Sequence, residues 1–198
     1  MTSILIAYGT TTGQTAKVAR RMDEVLTDRG FDVTVHHLQD GDVVDPADYD
    51  AVLVGASVTN RAHQPAVVAF VERHASTLAE RPSGFFQLSL ASAIPWQSAQ
   101  RGAQDYVDSL TAATGWEPDR IGLFAGTLPY SEFSRPLRWV FKLAAIPTGL
   151  GRDTSRDYEY TDWNEVEDFA LTFGEFAEIE RARATDAPAE AAGGGSRL

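Results

Sequence analysis

Short apolar segments of strand length alternate with segments of helical periodicity along most of this chain. Apolar or alternating runs that suit strands lie at Ser3–Tyr8, Phe31–His37, Asp50–Ala56, Gly84–Leu90 and Arg120–Ala125. Between these runs, apolar residues recur at helical spacing after Gly13, from Pro65 and over Ala99–Ala113. Gly30 and Gly115 follow two of these segments, as glycines that end helices do. This alternation predicts a parallel sheet with helices on both faces.

The number of strands narrows the architecture. Five strands joined by right-handed crossovers predict a doubly wound α/β sheet in the order 2-1-3-4-5, inside a three-layer α/β/α domain. Ligands bind such sheets at the carboxyl ends of the strands, beside the point where the strand order reverses. We therefore expect functional residues in the loops that follow Tyr8, Ala56, Leu90 and Ala125.

The C-terminal part completes one domain and ends in a tail. Asp162 and Glu165 have the spacing of a capping box, in which side chains satisfy exposed N–H groups at a helix start. From about Thr185 the chain consists mainly of Ala, Gly, Pro and charged residues, a composition typical of disorder. We therefore predict one domain over residues 1–180, with an insertion at 126–157, and a disordered tail at 185–198.

Composition limits the chemistry that the side chains can perform. The 198 residues include no cysteine, which excludes disulfides, thiolate nucleophiles and cysteine-ligated zinc or iron–sulfur clusters. His36, His37 and His74 have no spacing that suggests a metal site, so we predict no bound metal. Redox chemistry would therefore need a bound cofactor.

The formal net charge of -11 limits the partners. Contacts with nucleic-acid phosphates need Lys and Arg, so we predict no nucleic-acid partner. The only lysines are Lys17 and Lys142, and an acidic surface with Arg in place of Lys is favoured in a high-salt cytoplasm, where salt screens self-repulsion. A GC-rich genome with ordinary acidity is the alternative explanation.

The N-terminus and the hydropathy of the chain indicate its compartment. Residues Met1–Tyr8 lack the basic region and the small-residue cleavage site of a signal peptide. No apolar run approaches the ~20 residues of a membrane span. We therefore expect a cytoplasmic protein, with at most a peripheral contact on the inner face of the cell membrane.

The segment between the first strand and the first helix has the composition of a small-anion site. Hydroxyls and backbone N–H groups at a helix start can bind a phosphate. The candidate ligands are Thr10, Thr11, Thr12, Gly13, Gln14 and Thr15. The segment contains no Lys or Arg, which favours one terminal phosphate over a triphosphate. It also lacks the patterns of P-loop NTPases and of Rossmann dinucleotide sites. The alternative is a polar turn in which Thr15 caps the helix.

The string YGTTTGQT, Tyr8–Thr15, resembles the FMN phosphate loop of flavodoxins. Further segments resemble the flavodoxin-type, menaquinone-dependent protoporphyrinogen oxidases of haem biosynthesis. They are Gly55–Val71, Gly84–Ser92, Gly115–Tyr130 and Tyr160–Ala170. The more specific motifs are WxPDR at Trp116–Arg120 and YTDW at Tyr160–Trp163. The resemblance spans about Ser3–Phe173 and implies a flavodoxin-like fold with FMN as cofactor.

The resemblance also implies which loops meet the flavin. The residues implied on the two sides of the isoalloxazine ring are Ser57, Val58, Thr59 and Asn60, with a backbone group near flavin N5, and Leu90, Ala91 and Ser92. Trp96 lies close to the second group, although it could instead pack under its helix. His63 could donate a proton near the flavin, or else be solvated or cap the following helix. No clear acid–base pair or nucleophile is present, so we predict no catalytic side chain.

The insertion at residues 126–157 is too long for a βα loop, which usually has ~2–6 residues. Between Glu132 and Asp153 it contains no acidic residue. A basic amphipathic helix is predicted over residues 135–146, and its candidate contact residues are Arg135, Arg138, Trp139 and Lys142. Such a helix can lie on an anionic membrane or bind an anionic substrate. Alternatively, its basic face only offsets acidic neighbours.

Taken as a resemblance, these features imply an FMN-dependent oxidoreductase that oxidises protoporphyrinogen IX to protoporphyrin IX with a quinone as electron acceptor. The cofactor would carry the chemistry and the protein would supply orientation and electrostatics. An electron-carrier flavodoxin is the first alternative, because an acidic surface suits docking onto basic partners. An FMN-dependent quinone reductase is the second. The basic insertion and the two specific motifs favour the oxidase.

Overall fold

A five-stranded parallel sheet forms the centre of the computed structural model, which describes residues 1–39, 44–94, 96–128, 130, 153 and 156–186. Its strands are β1 (Ser3–Tyr8), β2 (Asp32–His37), β3 (Ala51–Ser57), β4 (Ser83–Ser89) and β5 (Arg120–Ala125). The strand order is β2-β1-β3-β4-β5 and every neighbouring pair is parallel. The predicted doubly wound order 2-1-3-4-5 is thereby confirmed, with strand ends within one residue of those expected.

Helices cover both faces of this sheet. They are α1 (Gln14–Asp28), α2 (Pro65–Ala79), α3 (Gln97–Thr114) and α4 (Trp163–Asp186). Ile4 and Ile6 of β1 belong to the apolar layer under α1 and α4, whereas Leu5 and Ala7 belong to the layer under α2 and α3. The alternation of buried residues along one strand therefore builds two cores, and the three-layer α/β/α architecture is confirmed.

The last helix begins and ends close to the expected residues. The carboxylate of Asp162 accepts a hydrogen bond from the backbone N–H of Asn164 at 2.9 Å, so Asp162 caps the helix start. The helix continues to Asp186, which places Thr185 in its last turn and not in the predicted tail. Residues 187–198 lie outside the described part of the chain.

The WxPDR motif lies at the amino ends of β4 and β5, on the edge of the sheet opposite the predicted functional loops. The Trp116 side chain is 1% exposed and its indole N–H donates to Ser83 Oγ at 3.1 Å. Asp119 accepts from the Ser83 N–H at 2.9 Å and its own N–H donates to the Ser83 carbonyl at 2.9 Å. The Arg120 guanidinium lies 4.1 Å from the ring centroid of Phe176. This motif therefore stabilises the fold and does not contribute to the loop edge.

A short antiparallel ladder joins the two ends of the insertion. It consists of β6 (Thr127–Leu128) and β7 (Tyr158–Glu159), and the Tyr160 N–H donates to the Gly126 carbonyl at 3.3 Å. The insertion therefore leaves and returns at the carboxyl end of β5, which is the edge where function is expected. The predicted basic helix over 135–146, with Arg135, Arg138, Trp139 and Lys142, lies outside the described residues.

Candidate functional site

The loop between β1 and α1 is shaped by two hydrogen bonds. The Gly9 N–H donates to the Gly55 carbonyl at 2.8 Å, which anchors the loop beside β3. The Gly13 N–H donates to Thr10 Oγ1 at 3.0 Å, and Gly13 adopts a φ of +83°, a conformation that favours glycine. Gly13 also occupies the N-cap position of α1, with no side-chain cap. The alternative interpretation of Thr15 as the helix cap is therefore wrong.

Thr15 instead buries an unsatisfied hydroxyl in the first turn of α1. The residue is 0% exposed, and its Oγ1 atom has no hydrogen-bond partner in the described structure. A buried polar group without a partner costs about 1–3 kcal/mol, so native proteins rarely leave one unpaired. The first N–H groups of a helix also have no acceptor within it. Hydroxyl and amides together form a donor set that suits a phosphate.

Gln64 connects this phosphate-loop candidate with the loop after β3. Its amide nitrogen donates to Thr11 Oγ1 at 3.1 Å and also to Ser57 Oγ, while its amide oxygen accepts from the Ser57 N–H at 3.2 Å. The Thr59 hydroxyl donates to the same Thr11 oxygen at 3.2 Å. Gln64 is not among the site residues predicted from the sequence. One feature of the sequence could have indicated its role. A glutamine stands directly before Pro65, at a helix N-cap position that is more often Ser, Thr, Asp or Asn.

A tight two-residue turn fixes the tip of the second loop. Thr59 and Ala62 exchange backbone hydrogen bonds of 2.9 and 3.1 Å across Asn60 and Arg61. Asn60 and Arg61 adopt φ values of 52° and 65°, the left-handed conformation of a type I′ turn. Val58 is tied to the sheet through its N–H, which donates to the Leu88 carbonyl at 2.9 Å. The backbone expected to meet a flavin ring is therefore held at both ends.

The third loop folds into a short 3₁₀ turn over Ala91–Ala93, directly after Leu90. The Ser92 N–H donates to Ser89 Oγ at 3.2 Å, and the two serine hydroxyls lie 2.9 Å apart. The Ser92 hydroxyl is thus engaged within its own loop. Trp96 stands directly before α3 and is 45% exposed, so it does not pack under the helix as one interpretation expected.

His63 is half-buried and does not cap the following helix, whose N-cap is Gln64. Its Nε2 atom lies 2.7 Å from Gln87 Oε1, and its ring meets Phe85 edge-on with centroids 5.4 Å apart. Burial lowers the pKa of His63, although the hydrogen bond with Gln87 opposes the shift. Gln87 is a fully buried amide in the otherwise apolar interior of β4, and a polar residue in such a run is the signal that a buried partner exists.

The YTDW motif and the adjacent Glu159 tie the root of the insertion to α1. The Gln14 amide nitrogen donates to Thr161 Oγ1 at 3.0 Å, and the Thr161 hydroxyl donates to the Ala125 carbonyl at 2.8 Å. Lys17 forms an ion pair with Glu159 at 3.1 Å. The side chain of Gln14 therefore uses one amide N–H to hold Thr161, and its backbone N–H lies in the first turn of α1.

The structure thus brings the three loops that carry the candidate cofactor residues to one edge of the sheet, at the carboxyl ends of β1, β3 and β4. Within the described ranges, no group of three His, Asp or Glu side chains is arranged to hold a metal ion. No helix in the described part of the chain combines the length and apolarity that a bilayer span requires.

Comparison with known proteins agrees with this geometry. The sequence matches the Flavodoxin domain family over residues 5–154. It is 30% identical over 166 residues to the Escherichia coli K12 protein named protoporphyrinogen IX dehydrogenase (quinone), covering 84% of this chain and 91% of that protein. A Leishmania major protein of the same name is 30% identical over 171 residues, covering 85% of this chain and 73% of its own. The resemblance inferred from the motifs is confirmed.

Solved structures of flavodoxins share the fold at low sequence identity. A short-chain flavodoxin associated with a PDU bacterial microcompartment has a TM-score of 0.56 at 18% identity, over 89% of this chain and 99% of that chain. Oxidised flavodoxin 2 from Bacillus cereus has a TM-score of 0.53 at 16% identity, over 88% and 99%. By sequence and by architecture, this chain belongs to the flavodoxin domain family.

Proposed function

We propose that the chain binds FMN at the carboxyl edge of its sheet and oxidises protoporphyrinogen IX, with a quinone as electron acceptor. The observation that carries the cofactor assignment is the Thr15 hydroxyl, which is fully buried and unpaired in the described structure. An ester phosphate at this position would accept hydrogen bonds from the hydroxyl and from the free amides of the first helical turn. No cationic side chain lies in the loop, so dipoles and hydrogen bonds would balance the charge.

Thr10, Thr11 and Thr12 would complete the phosphate site. Thr11 Oγ1 already accepts hydrogen bonds from Thr59 and Gln64, so its single hydrogen is left to donate outward. Thr10 Oγ1 accepts from the Gly13 N–H and likewise keeps its hydrogen. Hydroxyls that accept bonds from the protein become better donors, because hydrogen bonds in a chain polarise one another. Both threonines are therefore suited to an anion.

The two other loops would hold the isoalloxazine ring. The residues proposed on its two sides are Ser57, Val58, Thr59 and Asn60, and Leu90, Ala91 and Ser92. The type I′ turn keeps the backbone around Asn60 in one conformation, as a main-chain contact with the flavin requires. FMN supplies two-electron redox chemistry when bound, and the chain binds and orients it.

The substrate assignment rests on the relatives and on charge. The relatives named protoporphyrinogen IX dehydrogenase cover most of this chain. Protoporphyrinogen carries propionates and menaquinone is a membrane molecule, and the basic segment with Arg135, Arg138, Trp139 and Lys142 suits either contact. Its root at β6 and β7 lies at the same edge as the cofactor loops. We therefore propose a cytoplasmic protein with a peripheral contact on the inner membrane face.

An electron-carrier flavodoxin is the second candidate, and the net charge of -11 favours it. An acidic surface docks readily onto basic redox partners. Such a carrier would bind FMN in the same loops, but it would exchange electrons only with proteins.

One assay separates the two candidates. The protein is purified with FMN at high salt and given protoporphyrinogen IX and a menaquinone analogue, and porphyrin fluorescence is followed. We expect porphyrin to form faster than by autoxidation, and only when flavin is bound. A flavin-loaded protein whose rate equals that of autoxidation would overturn the oxidase and leave the carrier.

A further inference from the structure

A cavity of about 470 Å³ lies in the groove between α2 and α3, beside the Thr59–Ala62 turn. Its wall is formed by Arg61 and His63 from the loop, and by one face of α3 that includes Gly102, Asp105 and Tyr106. Ligand-binding cavities in proteins have volumes of about 300–1,000 Å³. The volume therefore suits a small organic molecule, and nothing in the phosphate loop contributes to it.

Gly102 widens this groove at a cost to its helix. It lies in the interior of α3, where glycine is less favourable than alanine by roughly 0.5–1 kcal/mol. A Cβ atom at this position would meet no other atom within 4 Å, so close packing does not require glycine here. The missing side chain leaves open space on the cavity wall.

His63 lines the cavity and retains one hydrogen-bond acceptor that the Gln87 contact does not use. The Gln87 amide nitrogen donates to the Ala103 carbonyl at 2.9 Å, so it is the Gln87 oxygen that faces His63. His63 Nε2 must then carry the hydrogen, which leaves Nδ1 with a lone pair and no partner among the described residues. Burial lowers the pKa of His63, which keeps the ring neutral and Nδ1 available at neutral pH.

Two charged side chains in the cavity lining are further groups that a ligand could contact. Arg61 and Asp105 both line the cavity, and neither forms an ion pair within the described part of the chain. Arg61 is also held in a left-handed conformation that favours glycine, which costs of order 1 kcal/mol. The groove therefore offers two acceptors, at His63 Nδ1 and Asp105, and one cation.

We propose that this groove binds the tetrapyrrole substrate, with pyrrole N–H groups donating to His63 Nδ1 and Asp105 and a propionate paired with Arg61. This inference rests on the proposed function and assigns the substrate a place in it. A quinone has only acceptor oxygens at its carbonyls, so it would leave the half-buried acceptor of His63 unpaired. Val68 and Leu110 supply the apolar surface that the ring system needs.

The test measures binding without turnover. FMN-loaded protein is reduced with dithionite under anaerobic conditions, so that the flavin cannot accept electrons, and protoporphyrinogen IX is titrated calorimetrically. Gly102→Leu should weaken binding about tenfold by filling the groove, and Gly102→Ala should weaken it less. Both substitutions relieve the helix-interior glycine, so weaker binding cannot be attributed to unfolding. The Kd for FMN should stay within twofold of the parent value.

Charge reversal tests the propionate contact. Arg61→Glu should weaken binding of the diacid about tenfold and binding of its dimethyl ester much less, because the ester carries no carboxylate. Arg101→Glu, on an exposed position of α3 outside the cavity lining, is the matched control and should leave both affinities unchanged. Equal affinity in all variants, or loss of quinone binding with porphyrinogen binding intact, would overturn the proposal.

The outcomes also separate this inference from the proposed function. If Gly102→Leu weakens porphyrinogen binding about tenfold while the parent protein shows no flavin-dependent turnover, the groove stands and the oxidase assignment fails. If turnover is present and unaffected by Gly102→Leu and Arg61→Glu, the oxidase stands and the groove fails. The same titration on protein without flavin gives the binding result even if FMN does not bind.

Discussion

At the scale of single residues, the buried Thr15 hydroxyl is the clearest feature of the candidate cofactor site. Thr15→Val keeps the branched shape but removes the unsatisfied hydroxyl. We expect the protein without flavin to become more stable by up to about 1 kcal/mol, while affinity for FMN falls about tenfold. Denaturant unfolding and quenching of flavin fluorescence measure the two effects.

Two controls make that prediction specific. Thr15→Ser retains a hydroxyl and should retain most of the affinity. Riboflavin lacks the phosphate, so its affinity should be equal in the parent and in Thr15→Val. Unchanged FMN affinity in Thr15→Val would remove the hydroxyl from the phosphate site.

Protonation of a single residue, His63, should make the free energy of unfolding depend on pH. Burial lowers the pKa of His63 in the folded protein, so below about pH 6.5, the ordinary pKa, the unfolded chain binds more protons. The free energy of unfolding should therefore fall as the pH drops from 6.5, and level off below the folded pKa. His63→Phe should show a shallower fall when unfolding is measured between pH 5 and 8.

His74 serves as the comparison. Burial lowers its pKa too, and the negative charge of Asp45 opposes that shift. His74→Gln should remove its own part of the pH dependence, and the double variant should remove both parts. If His63→Phe keeps the full slope, the ring is not held neutral in the fold.

Candidate site residues can be predicted from the sequence where they lie next to one another in the chain. The candidate phosphate loop could be proposed from the sequence because its hydroxyls, glycine and helix start are contiguous at Gly9–Thr15. Gln64 could not, since its bond to Thr11 spans 53 residues, and the bond between Gln14 and Thr161 spans 147. Partners so distant meet only through the register of the sheet, which periodicity in one segment does not specify.

At the scale of secondary-structure elements, the contacts of the WxPDR motif explain why this motif says little about activity. The WxPDR motif locks the start of β5 against β4 through Ser83, far from the loops. The strands and helices themselves were predictable, because two-sided burial of a parallel strand leaves an apolar run in the sequence. Side-chain hydrogen bonds between elements leave no comparable pattern in the sequence.

Trp116→Phe tests this assignment. It leaves the buried Ser83 hydroxyl without its indole partner and removes part of a buried side chain. We expect the free energy of unfolding in urea to fall by about 1–3 kcal/mol, with the Kd for FMN unchanged in the folded protein. Weakened FMN binding at full stability would show that the motif serves the site after all.

At the scale of the whole molecule, charge is unevenly distributed. The chain carries a net -11, yet the stretch from Arg135 to Lys142 is entirely free of acidic residues. The high-salt interpretation of this composition stays a prediction. So does the role of the basic segment, which lies outside the described residues.

Reversing the charge of Arg135, Arg138 and Lys142 to Glu tests that role. We expect porphyrin formation to be lost while FMN affinity is retained, because the candidate cofactor loops lie elsewhere in the chain. The effect should weaken at high salt, since salt screens exposed charges. Reversal of Arg20, Arg73 and Arg101 is a control of equal charge change. Loss of flavin in the first variant would mean that the segment supports the fold.

The ladder of β6 and β7 has a consequence for how such proteins diverge. Leu128 and Tyr158 are direct antiparallel partners, so the chain between them starts and finishes about 5 Å apart. A two-residue hairpin turn could therefore replace the segment between Leu128 and Tyr158 without altering the chain path on either side. Relatives could therefore gain, lose or exchange this segment while the five-stranded sheet and its helices are inherited unchanged.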